Sequence, residues 1–144
     1  INQDAVVTYG IDIADMENLK QGKDIRLADG TLLANALLTL DPEPSKSYAF
    51  CSDTAYLPKL ADWVYGVNYL YHEATFLDMH QDLAKKTQHS TAAEAAQIAA
   101  TAKVGQLILG HFSSRYPDRN EFITQAQKHF NNVHLAEDGK RFDW

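Results

Sequence analysis

The amino-acid sequence predicts an α/β fold, in which short buried strands alternate with helices. Two observations lead to this prediction. From Tyr48 onward, short apolar runs alternate with longer segments of helical composition and spacing. The chain has 144 residues, of which 45% are hydrophobic, so it can form a core and is too apolar to be disordered. No segment approaches the roughly 18 consecutive apolar residues of a membrane-spanning helix.

The candidate strands share a short length and a largely apolar composition, which is typical of buried parallel strands. They are residues 48–51, 69–71, 107–109 and 133–135. The segments between and after them have helix-forming composition and spacing. The predicted helices are residues 58–65, 78–87, 92–103 and 121–130.

A capping motif marks the start of the helix predicted at 92–103. Thr91 and Glu94 have the spacing of a capping box, in which each side chain accepts a hydrogen bond from the backbone N–H of the other residue. The body of the helix is rich in alanine and lacks bulk, so we expect it to lie close against the sheet.

The first 47 residues have a different pattern. Residues 23–27 and 31–33 resemble two strands joined by a tight turn at Asp29-Gly30. Residues 41–45, which contain two prolines, are predicted to be a surface linker. We therefore expect one domain, in which residues 1–47 form an N-terminal hairpin extension and residues 48–144 form the β/α part.

Composition limits the function classes. The formal net charge is −6, whereas proteins that bind nucleic acid by themselves usually have a basic face. Cys51 is the single cysteine and cannot form an internal disulfide, which favours a cytoplasmic protein. The chain opens at Ile1 rather than Met and has no signal-peptide pattern, so we expect it to start inside a longer protein.

Polar residues follow several of the predicted strands, at the end where α/β sheets build their sites. Asp53 follows the first strand and could bind metal, although the local sequence favours a turn-forming or capping role. His111 follows the third strand and is a candidate metal ligand or a hydrogen-bonded structural histidine. His72 and Glu73 end the second strand.

Two further groups could take part in chemistry. His89 lies just before the capped helix, where the helix dipole lowers proton affinity, so it could act as a general acid or form a loop-fixing pair with Glu73. Ser113 and Arg115 follow His111 closely and could hold a phosphate. The remaining histidines have no supporting residues and are predicted to be structural or exposed: His80, His129 and His134.

Taken together, four motifs resemble those of the ribonuclease Z family, the tRNA 3′-end endoribonucleases of the metallo-β-lactamase superfamily. They are Ser-Asp-Thr at 52–54, His-Glu-Ala-Thr at 72–75, His-Ser-Thr at 89–91 and His-Phe-Ser-Ser-Arg-Tyr at 111–116. Each motif is weak alone, but their order and spacing are specific. The resemblance implies the C-terminal half of the αβ/βα sandwich of that superfamily.

The resemblance also implies roles for individual residues. Asp53 and His111 match zinc ligands, and His89 with Glu73 matches the pair that protonates the leaving oxygen. The other matches are Ser113 and Arg115 near the substrate phosphate, with His72 and Thr54 in support. The implied activity is two-metal hydrolysis of precursor tRNA by a homodimer.

The sequence departs from the family pattern in one important respect. The family's main metal motif, His-x-His-x-Asp-His, lies in its N-terminal half, and no His-x-His occurs in this sequence. We therefore expect two zinc ligands in this chain, weak zinc binding and no cleavage by the segment alone. The alternatives are a phosphodiesterase or sulfatase of the same fold that acts on small substrates, and a non-catalytic structural half-domain.

Overall fold

The structure is a computed structural model that describes residues 1–142. The chain divides into two compact units, Ile1–Pro44 and the part from Ser45 onward. The boundary falls in the proline-containing segment that the sequence predicts to be a linker. Each unit is built around its own apolar cluster.

The first unit is mostly helical. Its β1 and β2 form the predicted antiparallel hairpin, in which Ile25 pairs with Leu33. The helices of this unit were not expected, although Asn2 caps the first of them and Gly10 ends it at φ 62°. The elements are α1 (Gln3–Tyr9), a 3-10 turn (Ile13–Asp15), α2 (Met16–Lys20), β1 (Ile25–Arg26), β2 (Leu32–Leu33) and α3 (Asn35–Leu38). Its core contains Ile11, Leu19, Ile25, Leu33 and Leu38.

The second unit contains a parallel sheet, which confirms the α/β prediction. Among the described residues the strand order is β3-β4-β5-β6, so each strand lies beside the next one along the chain. The strands are β3 (Tyr48–Cys51), β4 (Tyr69–Glu73), β5 (Gln106–Gly110) and β6 (Val133–Leu135). All four predicted strands are confirmed, and two of them extend beyond their predicted ends.

The connections between these strands are helical, as parallel neighbours require. The helix predicted at 58–65 is shorter in the structure, and the one predicted at 78–87 begins with a 3-10 turn. The elements are α4 (Leu60–Trp63), a 3-10 turn (Asp78–His80), α5 (Gln81–Thr87), α6 (Ala92–Ala102) and α7 (Asn120–Ala126).

The two faces of the sheet have different environments. Alternate strand residues, such as Leu70 and Leu107, are fully buried against the alanine-rich face of α6 and against α7. The opposite face carries the stacked rings of Phe50 and Tyr71, whose centroids are 4.5 Å apart, and Phe50 is 63% exposed. One face of the sheet is therefore packed, and the other presents aromatic rings to solvent.

The capping box of α6 forms as predicted. The Thr91 hydroxyl accepts a hydrogen bond from the Glu94 N–H at 3.2 Å, and Glu94 accepts one from the Thr91 N–H at 2.9 Å. Both residues are buried. The capping box sets where α6 begins and so positions the loop that precedes the helix.

We expect Thr91→Ala to lower the free energy of unfolding by about 1–2 kcal/mol, because the N-terminal N–H groups of α6 lose their acceptor. Urea denaturation of both proteins measures the difference. Thr91→Ser keeps the hydroxyl and should retain most of the stability. Equal stability of the alanine variant would show that the cap contributes nothing.

Among the described residues, no helix is both long enough and apolar enough to cross a membrane.

Candidate metal centre

The parallel register brings the polar strand ends to one edge of the sheet. Cys51 pairs with His72, His72 pairs with Leu109, and Glu73 pairs with Gly110. The residues that immediately follow these strands therefore emerge side by side. Asp53 and His111 meet at this edge, next to the end of β4.

The two predicted metal ligands are in direct contact. The Nε2 atom of His111 lies 3.1 Å from Oδ1 of Asp53, and both side chains are partly exposed. His89 joins them, since one ligand atom from each of the three residues lies within 4.8 Å of the others. The sequence predicts two ligands in this chain, and the fold brings a third candidate beside them.

Both predicted ligands have an unusual backbone conformation. Asp53 has φ 50° and His111 has φ 60°, in the left-handed region that most residues avoid. The other non-glycine residues with positive φ, Gln88 and Lys103, end helices, where this conformation is common. Neither Asp53 nor His111 ends a helix, and strain of this kind clusters at functional sites.

His89 reaches the edge from the loop before α6. A parallel bridge joins Phe76 to Thr91, so this loop runs alongside the segment that follows β4. The buried hydroxyl of Ser90 donates a hydrogen bond of 2.7 Å to the carbonyl of Thr54, next to Asp53. Together with the Thr91 cap, these contacts hold His89 beside the strand ends.

The carboxylate of Glu73 is fully buried and organises the site. Its Oε1 atom accepts hydrogen bonds from the Thr54 N–H at 3.1 Å and from Nδ1 of His89 at 2.7 Å. Its Oε2 atom accepts from the N–H of Thr75 at 2.9 Å and from the Thr75 hydroxyl at 2.7 Å. Because Nδ1 of His89 carries the donated hydrogen, Nε2 of that ring is left free to bind or transfer a proton.

The residues present fit a zinc ion. Zinc in proteins binds carboxylate oxygen and imidazole nitrogen, and two ligand atoms of one tetrahedral ion lie about 3.3 Å apart. The distance between Nε2 of His111 and Oδ1 of Asp53 is 3.1 Å, close to that separation. Asp53 and His111 are therefore suited to share a metal ion, with His89 adjacent.

Comparison with known proteins shows what the chain resembles over nearly its whole length. The chain is 43% identical to ribonuclease Z of Phocaeicola vulgatus over 136 residues, which cover 94% of the chain and 44% of that protein. It is 38% identical to ribonuclease Z of Porphyromonas gingivalis over 143 residues, 99% of the chain and 47% of that protein. The chain is homologous to ribonuclease Z.

The homology concerns part of ribonuclease Z, because the chain spans less than half the length of these relatives. The fold agrees with a solved structure, the metallo-β-lactamase fold protein YhfI from Bacillus subtilis. The match has a TM-score of 0.63 at 22% identity and covers 67% of this chain and 39% of the other. No family model matches the chain.

The segment that the ribonuclease Z resemblance assigns to the substrate phosphate lies beside the same edge. The N–H of Ser113 donates to the carbonyl of Thr75 at 3.1 Å, and Nε of Arg115 donates to the Ser113 hydroxyl at 3.4 Å. The exposed guanidinium lies 5.7 Å from the ring centre of Phe76. Both predicted phosphate-binding residues are thus near the cluster.

Hydrogen bonds to the side chain of Tyr116 also fix the end of this segment. The Tyr116 hydroxyl lies 2.7 Å from Nδ1 of His80 and accepts a hydrogen bond from the N–H of Leu77 at 3.2 Å. His80 therefore has a structural partner, although no neighbouring motif indicates one. The contact is between residues 36 positions apart, so only the fold reveals it.

The two residues predicted to support the site have different positions. Thr54 lies at the site, where its N–H binds Glu73. His72 lies in the core, because its side chain points to the face of β4 opposite to that of Tyr71 and Glu73. Its Nδ1 atom donates to the carbonyl of Glu73 at 2.7 Å, and burial lowers its pKa, which keeps the ring neutral.

Two contributors were not singled out from the sequence. Thr75 contacts Glu73, His89 and His111, and Ser90 ties the His89 loop to Thr54. Thr75 belongs to the His-Glu-Ala-Thr motif and Ser90 to the His-Ser-Thr motif, and this membership was the signal that the sequence offered for their role at the site. Apart from Glu73, their partners lie 14 to 36 residues away, so local sequence does not reveal them.

Proposed function

We propose that this chain is part of a zinc-dependent endoribonuclease that processes the 3′ end of precursor tRNA by two-metal phosphodiester hydrolysis. The observation that carries the proposal is the pairing of Glu73 with His89, at 2.7 Å, beside the contact between Asp53 and His111. Homology to ribonuclease Z supports the choice of substrate.

Asp53 and His111 would hold zinc in this proposal. Their side chains meet at the sheet edge, where Nε2 of His111 lies 3.1 Å from Oδ1 of Asp53. When bound, the metal ions would activate the attacking water and offset the charge that develops on the phosphate.

His89 would donate a proton to the departing ribose oxygen. Glu73 holds Nδ1 of that ring as a donor, so Nε2 is the atom that faces the reaction. The bond to Glu73 also fixes the orientation of the ring, so that Nε2 can pass a proton to a neighbouring oxygen.

Ser113 and Arg115, in the loop that follows β5, would bind the substrate phosphate. Arg115 is exposed and its guanidinium can form two parallel hydrogen bonds to phosphate oxygens. Ser113 contacts Arg115 and, through its N–H, the backbone of Thr75. The loop thereby links substrate binding to the residues around Glu73.

The complete site would require a second part that carries the His-x-His-x-Asp-His motif. Asp53, His111 and His89 are too few ligands for two zinc ions, each of which takes about four. The aromatic face of the sheet, with Phe50 and Tyr71, offers a surface that such a part would cover. The family resemblance further leads us to propose a homodimer that acts in the cytoplasm.

We expect the 144-residue chain alone to lose zinc on dialysis and to leave precursor tRNA uncleaved, whereas the full-length protein should retain zinc and cleave precursor tRNA. The reason is the incomplete ligand set. Metal analysis and a gel assay with 3′-extended tRNA measure the two properties. Mixing the chain with the separately expressed motif-bearing part should restore some cleavage.

Three outcomes would contradict this proposal in different ways. Efficient cleavage by the chain alone would overturn the half-site argument. A full-length protein that hydrolyses bis(p-nitrophenyl) phosphate but not precursor tRNA would indicate a phosphodiesterase of small substrates. A zinc-free, inactive full-length protein would indicate a structural half-domain.

A further inference from the structure

Thr75 uses every polar group it has at the centre of the site. Its N–H and hydroxyl bind Oε2 of Glu73 at 2.9 and 2.7 Å, and its carbonyl accepts from the N–H of Ser113 at 3.1 Å. Its hydroxyl oxygen also lies 2.8 Å from Nδ1 of His111. The residue is only 7% exposed, so water cannot easily replace these partners.

The donors and acceptors around this hydroxyl determine the direction of each hydrogen bond. A hydroxyl has one hydrogen, and the carboxylate of Glu73 only accepts, so the Thr75 hydrogen points to Oε2. The Thr75 oxygen then accepts from its other close partner. Nδ1 of His111 therefore carries a hydrogen, and in the neutral ring this leaves the lone pair on Nε2.

The other histidine does not compete for this hydroxyl. Nδ1 of His89 lies 3.2 Å from the Thr75 oxygen but only 2.7 Å from Oε1 of Glu73, and the shorter bond to a charged acceptor is the stronger one. Glu73 thus holds the Nδ1 hydrogen of His89 directly, and that of His111 through Thr75.

We propose that Thr75 is a positioning residue for the metal site. Its hydroxyl donates to the buried carboxylate of Glu73 and accepts from Nδ1 of His111, and this directs the Nε2 lone pair of His111 toward Asp53. Histidines that bind metal generally donate their other ring N–H to a fixed acceptor, which sets the ring orientation and raises the basicity of the ligand. Here the acceptor is a hydroxyl that is itself held by a carboxylate. The Nε2 atom of His111 lies 3.1 Å from Oδ1 of Asp53, so the two atoms are placed to share a cation. The proposal rests on the proposed function only in identifying that cation as zinc.

The first test is the ring tautomer of His111, measured by ¹⁵N NMR on the zinc-free protein at pH ~9, above the range in which histidine ordinarily protonates. The wild-type ring and the Thr75→Ser ring should carry the hydrogen on Nδ1. Thr75→Val has the same shape without the hydroxyl and should lose this preference. Thr101→Val is the matched control, since its hydroxyl binds a backbone carbonyl on the exposed side of α6.

The second test is the zinc affinity of the full-length protein, measured by competition with a chelator. We expect Thr75→Val to bind zinc about tenfold to a hundredfold more weakly, the usual loss when the partner of a metal-binding histidine is removed. Thr75→Ser should restore the affinity, and Thr101→Val should leave it unchanged.

The outcomes separate this proposal from the proposed function. A wild-type His111 ring with its hydrogen on Nε2, or a folded Thr75→Val protein that keeps the Nδ1 hydrogen, would overturn the proposal, whatever the substrate. If the valine variant does not fold, the wild-type tautomer and the serine variant still decide it. A correct tautomer in a full-length protein that never cleaves precursor tRNA would overturn the proposed function alone.

Discussion

In the full-length protein, His89→Ala should slow cleavage of precursor tRNA by about 10²–10⁴-fold, the range that a positioned proton donor usually contributes. Zinc content should stay the same. The expectation follows from the bond between Nδ1 of His89 and the fully buried Glu73, which leaves Nε2 free at the site. Single-turnover cleavage with saturating enzyme isolates the chemical step from substrate binding.

The control for this prediction is His129→Ala, which removes an exposed histidine outside the cluster and should leave the rate unchanged. Metal analysis of the same samples decides between two roles for His89. It lies close enough to Asp53 and His111 to join a metal site. A parallel loss of zinc and activity would make it a ligand, in place of the proton donor that we propose.

The second large effect should come from Asp53→Asn, which removes a charge and preserves the shape. Asparagine tolerates the left-handed backbone at this position, φ 50°, so the fold should not be strained. We expect the full-length protein to lose zinc and to cleave more than about 100-fold more slowly, beyond the loss typical of residues that only orient a ligand.

Asp62→Asn provides the matched control, since Asp62 is an exposed residue of α4 outside the candidate cluster. It should keep both zinc and activity. Added zinc should not restore Asp53→Asn at concentrations that saturate the wild type. An Asp53→Asn protein with full zinc content and a normal rate would show that Asp53 only shapes the turn after β3, the structural role that its sequence context also allows.

The strands could be predicted because they depend on local patterns, whereas their order in the sheet was not predicted. The buried strands are short apolar runs such as Tyr48–Cys51 and Val133–Leu135, and the structure has these two at the predicted positions. The start of α6 could be predicted because the capping box lies within four residues. The helices of the first unit were missed because they are short, and most of their residues remain outside its small core.

The candidate site was only partly accessible from local sequence. Asp53 and His111 follow directly from their place after strands, since parallel strands end at a common edge. The hydrogen bond between Tyr116 and His80 joins residues 36 positions apart, so the sequence around one residue does not predict the contact with the other. His72 has the same kind of local context as Glu73, but the alternation of side chains along β4 places it in the core.

The sequence by itself determined the alternation of strands and helices, the strand ends that carry polar residues and the motifs that resemble ribonuclease Z. Those properties depend on residues that are neighbours along the chain. Only the tertiary structure decided that His89 joins Asp53 and His111, that Glu73 is buried with four hydrogen bonds, and that Thr75 connects it to His111. The physical reason is that a hydroxyl or carboxylate has fixed numbers of donors and acceptors, and which partners satisfy them depends on which loops the sheet brings together.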